Sequence, residues 1–127
     1  ENIESNIAYL GHKNGFVEEI SLRDNFNILG APINHTLFKK FGLSKLKNHK
    51  FFNLSFGEKR KAALMRAITS NKTIWILDEP FAGLDKESIS NLKKVILEHE
   101  KKGVCVIIAN HQEEIDESVK IYLEQND

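Results

Sequence analysis

Two adjacent carboxylates, Asp78 and Glu79, close a run of four apolar residues, Ile74-Trp75-Ile76-Leu77, and are followed by Pro80. Acids set side by side after an apolar segment are costly unless a cation or a proton manages their charge. The run itself reads as a strand buried on both faces of a parallel sheet. In open α/β sheets, ligands bind at the carboxyl ends of strands. Successive strand residues point to opposite faces, so the two acids are expected to do different work. One can face a bound Mg²⁺ while the other orients a water. The alternative is a pair of acids in a solvated turn, and the flanking Pro-Phe-Ala-Gly-Leu-Asp, ending at Asp85, weighs against it. Upstream, Ser55 and Glu58 have the S-x-x-E spacing of a capping box, in which each side chain satisfies an orphan backbone N–H. Gly57 lets another group approach the backbone closely. The positive end of such a helix suits a phosphate, although these residues taken alone read first as an ordinary capped helix.

In sequence order, Leu54-Ser-Phe-Gly-Glu58, Ile76-Leu-Asp-Glu-Pro80, Ala82-Gly-Leu-Asp85 and a later His111 form a pattern that resembles the ATP-binding cassette (ABC) ATPases. The resemblance runs from Ile7 to Leu123. Tyr9-Leu10-Gly11-His12, Ile74 to Phe81 and Asn110-His111-Gln112 are similar to the haem-export branch of that family, which serves cytochrome c maturation. It implies an α/β fold of P-loop NTPase (RecA-like) type, a parallel sheet with an inserted helical subdomain. Residues 1–127 would form one partial ABC ATPase domain. The helical subdomain would cover about 16–70, with the acid pair and the carboxyl-terminal part in 71–127.

The resemblance also implies roles. Asp78 would hold Mg²⁺, and Glu79 would be the general base that polarises the attacking water. His111 would hydrogen-bond the γ-phosphate and brace Glu79. Ser55 and the Gly57 amide would bind the γ-phosphate of ATP held mainly by a second ATPase subunit in a homodimer. Glu58 would keep the capping geometry, and Asp85 would cross the dimer interface. Lys13 stands where the family carries a Gln that contacts Mg²⁺; an ammonium cannot ligate a metal but can meet a phosphate or an acid. The implied partners are membrane-spanning permease subunits. The implied location is cytoplasmic, peripheral on the inner face of the cytoplasmic membrane.

The sequence contains no Gly-x-x-x-x-Gly-Lys-Ser/Thr, the loop that cradles phosphates and supplies a lysine and a Mg²⁺-binding hydroxyl. The chain is therefore expected to be amino-terminally shortened, and neither to bind ATP tightly nor to turn it over alone. The strand that would lead into that loop is missing too. Either Val119 to Leu123 takes its place beside Val106 or an apolar sheet edge stays open, and open edges recruit partners. Self-association is the expectation. Two other readings remain: a soluble ABC-type ATPase acting on nucleic acid or translation, and a non-catalytic docking module.

The remaining elements must position these groups. The 127 residues are 41% hydrophobic and 28% charged, which suits one modest folded domain rather than a disordered chain. The longest strongly apolar run, Val104 to Ala109, is far below the roughly 20 residues that span a bilayer. It reads as a second strand buried on both faces, and the lone Cys105 within it as a buried, inert thiol. From His35 to Arg66 basic residues crowd the chain against one acid, Glu58. Fifteen lysines against three arginines favour a solvated face over a phosphate-reading one, so nucleic acid is not the expected partner. Ser21 is the expected cap of one helix, His35 to Phe41 form another, and Leu43 to Leu46 a short third. Phe16, Val17 and Ile20 would pack in the core or against a membrane subunit. Lys86 to Lys101 is a long amphipathic helix, with Ile89, Leu92, Val95, Ile96 and Leu97 on its inner side.

Overall fold

The computed structural model describes residues 3–11, 13 and 15–109. Along the chain it places β1 (Ile7–Leu10), α1 (Leu22–Ile28), α2 (His35–Lys40), α3 (Phe56–Ile68), β2 (Ile74–Asp78), α4 (Lys86–Lys101) and β3 (Cys105–Ala109). Short 3₁₀ turns lie at Ile3–Asn6, Ser44–Leu46 and Phe51–Asn53. The strands form one parallel sheet in the order β1-β2-β3, with Ile7 opposite Ile74 and Ile74 opposite Cys105. Parallel neighbours cannot be joined by a hairpin and need a crossover. Here α1, α2 and α3 carry the chain from β1 to β2, and α4 carries it from β2 to β3. This is the parallel-sheet α/β architecture expected, with helices inserted after the first strand. Residues 110–127 lie outside the described residues, and with them His111 and the expected strand from Val119 to Leu123.

One face of the sheet is the core. Ala8, Leu10, Trp75 and Leu77 are buried there together with Ala63, Leu64, Ala67 and Ile68 of α3 and Leu92, Val95 and Ile96 of α4. Trp75 is 1% exposed, and its ring lies 4.7 Å from that of His99. Removing that much apolar surface from water is worth about 3 kcal/mol.

The other face departs from expectation. Neither β2 nor β3 is buried on both sides. Burial alternates along β2, and β3 alternates between exposed and half-buried residues. Tyr9 and Ile107 are 60% and 52% exposed, and Cys105 is an exposed thiol rather than a buried one. The physical reason is that α3 and α4 cover one face only. The continuous apolar run signalled two apolar faces, and within the described residues just one of them is packed.

The helices after β1 extend the same core with aromatic rings. Ser21 caps α1, its hydroxyl accepting the Asp24 N–H at 2.9 Å. Asn34 caps α2 in the same way through Leu37 N–H at 3.0 Å. Phe26, Phe38 and Phe51 are buried, and Phe16 joins them with its ring 4.7 Å from Phe51 and 5.9 Å from Phe26. Buried Asn25 holds the incoming strand of chain: its carbonyl accepts the Val17 N–H at 2.7 Å and its amide donates to the carbonyls of Val17 and Ser21. Phe16 thus packs inward, Ile20 is half-buried, and Val17 is 44% exposed.

Candidate functional site

The acid pair stands where the sequence placed it, at the carboxyl end of the central strand. Asp78 is the last residue of β2, paired with Ala109 of β3. Glu79 follows with φ of 49°, a left-handed backbone that non-glycine residues rarely adopt. Strand alternation therefore stops at Asp78 and does not govern Glu79, which corrects the expectation that the two acids diverge by simple pleating. The Glu79 N–H donates to the Ala109 carbonyl at 2.7 Å, and its carbonyl accepts the Ala82 N–H at 3.2 Å. The chain turns sharply over residues 79–84 and enters α4 at Asp85.

The helix tip is built as the S-x-x-E spacing requires. Ser55 is the N-cap of α3; its hydroxyl accepts the Glu58 N–H at 3.1 Å, and Glu58 returns a carboxylate oxygen to the Ser55 N–H at 2.8 Å. A serine hydroxyl that accepts one N–H still has its own proton to donate, so the cap does not preclude phosphate binding. A side chain at Gly57 would place its Cβ 2.6 Å from the Gly83 carbonyl oxygen. The close approach anticipated at this glycine is thus made by the loop that follows the acid pair. Phe56 closes over the same loop: a Cβ at Gly83 would meet its ring at 2.6 Å, and Gly83 itself has φ of 76°. The helix tip and the acid-bearing turn therefore form one contact surface.

Asp85 is the N-cap of α4, accepting the Ser88 N–H at 3.3 Å, and lies 3.7 Å from the Lys61 ammonium. The Ser88 hydrogen bond holds its carboxyl below its ordinary pKa; burial opposes this, and the Lys61 charge adds a smaller lowering effect. Lys13 is exposed in the turn after β1, and no described contact brings it to the acids. Within the basic block Lys59 pairs with Glu18 at 3.1 Å, while Lys47 approaches the His35 ring at 2.6 Å, a contact between two basic side chains that neutralises no charge. A cavity of about 330 Å³ between the end of α1 and the turn after α3, lined by residues including Pro32, Arg66 and Lys72, has neither acid in its lining.

One residue that sequence reasoning passed over sits at the centre of this arrangement. Arg60, counted only among the basic residues, is 3% exposed. Its guanidinium donates to the Gly11 carbonyl at 2.7 Å and to those of Asp78 and Glu79 at 3.1 and 2.9 Å. Burial pulls its pKa below the ordinary arginine value, and the charges of Asp78 and Glu79 oppose that. The signal was available: Arg60 precedes Ala63, Leu64 and Ala67 at helical spacing, so a charge lies on the core-facing stripe.

The ABC transporter family matches residues 1–82. The chain belongs to the ABC ATPases. It is 36% identical over 119 residues to the cytochrome c biogenesis ATP-binding export protein CcmA of Colwellia psychrerythraea, covering 89% of this chain and 54% of that protein. The CcmA protein of Vibrio cholerae is 30% identical, with 95% and 62% covered. The chain thus spans between about half and two thirds of the length of these relatives. Among solved structures, an ATP-binding subunit of an ABC transporter superposes with a TM-score of 0.75 at 23% identity, covering 85% of this chain and 49% of that one. The dimeric bacterial ABC transporter cassette MJ0796 gives 0.70 at 20% identity, covering 84% and 52%. Both likenesses are of the ABC ATPase fold, a RecA-like parallel sheet with an inserted helical subdomain. Among the described residues no helix is long and apolar enough to cross a membrane.

The acids alone do not make a metal cage, since no three His, Cys, Asp or Glu side chains converge among the described residues. A lone strand-end carboxylate does suit Mg²⁺, which commonly takes one or two carboxylates and completes its shell with waters and substrate phosphates.

Proposed function

We propose that these residues form the signature-helix and acid-pair part of an ATPase site whose hydrolysis of ATP drives export across a membrane. In this reading Asp78 orients a Mg²⁺ that arrives with the nucleotide, and Mg²⁺ supplies charge neutralisation at the phosphates. Glu79 takes the proton of the attacking water, and His111 braces it and the γ-phosphate. Ser55 Oγ–H and the Gly57 amide, at the positive end of α3, receive the γ-phosphate of ATP held on a second ATPase subunit. Glu58 keeps that tip capped, Asp85 faces the partner, and Lys13 meets a phosphate or an acid near the first turn. The observation that carries the reading is the packing of the α3 tip, through Gly57, onto the turn that begins at Glu79, directly after Asp78 at the end of β2.

The partners are a second ATPase subunit and permease subunits that place the protein on the inner face of the cytoplasmic membrane. Haem, for cytochrome c biogenesis, is the cargo suggested by the named relatives. The excess of lysine over arginine favours a solvated basic face over nucleic-acid recognition. The test is Glu79→Gln in the polypeptide as the cell makes it. ATP turnover is expected to fall at least about 100-fold, the scale of a lost general base, with Mg-ATP binding retained by calorimetry. Unchanged turnover would refute the assignment.

A further inference from the structure

Glu79 keeps a left-handed backbone, with φ of 49°, although it is not glycine. Such a conformation persists only where the surroundings over-determine it. Here the peptide is held from both sides. Its N–H is fixed on Ala109 of β3, and its carbonyl receives both the Ala82 N–H and the Arg60 guanidinium. Arg60 is the only one of these donors that reaches out of the sheet and its following turn. The same guanidinium grips the Asp78 carbonyl and, through its other terminal nitrogen, the Gly11 carbonyl where β1 ends. Its Nε has no hydrogen-bond partner among the described residues. Burying a guanidinium is expensive, and a lysine in its place has no planar fork to span carbonyls on two strands.

We propose that Arg60 is a positioning residue: it clamps the carboxyl ends of β1 and β2 to α3 and holds Glu79 in its left-handed conformation, so that displacement of the α3 tip is transmitted to the acid pair. Two further contacts make the link stiff, Gly57 against Gly83 and Lys61 beside Asp85. A phosphate engaged at Ser55 is thereby felt at Glu79 of the same chain. The catalytic meaning of the clamp rests on the reading of Glu79 as general base; the clamp itself does not.

The test needs no nucleotide. Arg60→Lys keeps the charge and loses the fork, and Arg60→Met keeps much of the stem and loses both. In the folded state of either variant, the backbone chemical shifts of Glu79 are expected to leave left-handed values. Amide exchange at Glu79 and Ala82 is expected to rise about tenfold relative to α4, the factor that matches loss of about one net hydrogen bond. A loss of overall stability alone would leave the folded-state shifts in place, and unchanged Glu79 shifts in folded protein overturn the proposal. Stability of the less disruptive Arg60→Lys gives a second measure. Glycine tolerates positive φ unaided, so Arg60→Lys is expected to lower the denaturation midpoint less in a Glu79→Gly background. An equal loss in both backgrounds overturns the clamp. Glu79→Gln separates the two claims: it is expected to leave the backbone shifts of residue 79 left-handed whether or not it abolishes turnover.

Discussion

At Gly57 a single hydrogen decides whether the first turn of α3 and the loop through Gly83 can touch. A methyl there meets the Gly83 carbonyl oxygen at 2.6 Å, and backbone on both sides leaves little room to yield. Gly57→Ala is expected to cost about 1–3 kcal/mol, the scale of overpacking, and to loosen the turn over residues 79–84. Thermal unfolding together with amide exchange in that turn would check it; a variant as stable as the parent would mean that the contact is not close. Asp85 makes a second residue-scale claim. Its folded pKa lies below the ordinary 3.8 because of Ser88 first and Lys61 next. A depressed carboxylate contributes stability that is complete above its unfolded pKa and is lost as pH falls through its folded one. Asp85→Asn should therefore flatten the loss of stability below about pH 4 and change little in the slope at neutral pH. Identical acid limbs for the two proteins would count against the ion pair and the cap together.

The elements show which sequence signals transfer to structure. The capping box at Ser55 and Glu58 gives the start of α3 as the spacing required, and its worth is measurable. Ser55→Ala is expected to cost about 1 kcal/mol. Glu58→Gln should cost much less than Glu58→Ala, because an amide oxygen still accepts the Ser55 N–H. Urea unfolding of the three variants would decide it, and equal losses for Gln and Ala would show the reciprocal bond to be idle. The amphipathic pattern of α4 and the apolar run of β2 were equally legible, since periodicity and run length are local properties. Three things were not. The Glu79 turn is imposed by its partners across the sheet, not by its own propensity. Arg60 looked like one more surface cation because its carbonyl partners, Gly11 and Glu79, are distant in sequence. The openness of β3 depends on what else covers the sheet, which an apolar run cannot report.

For the molecule as a whole, the sheet presents a packed face and an apolar face with Tyr9 and Ile107 largely exposed. Contiguous apolar surface of this kind seeks a cover, and among the described residues the outer edges of β1 and β3 have no strand beside them. Concentration-dependent self-association is the expected behaviour of this chain, and Tyr9→Lys with Ile107→Lys should suppress it; sedimentation that shows a monomer at every concentration would contradict this. Cys105, the lone cysteine, lies on that same bare face in register with Ile7 and Ile74. The fold has thus installed its own chemical gauge: a maleimide will modify the thiol quickly while the surface is naked and slowly once another polypeptide lies over it.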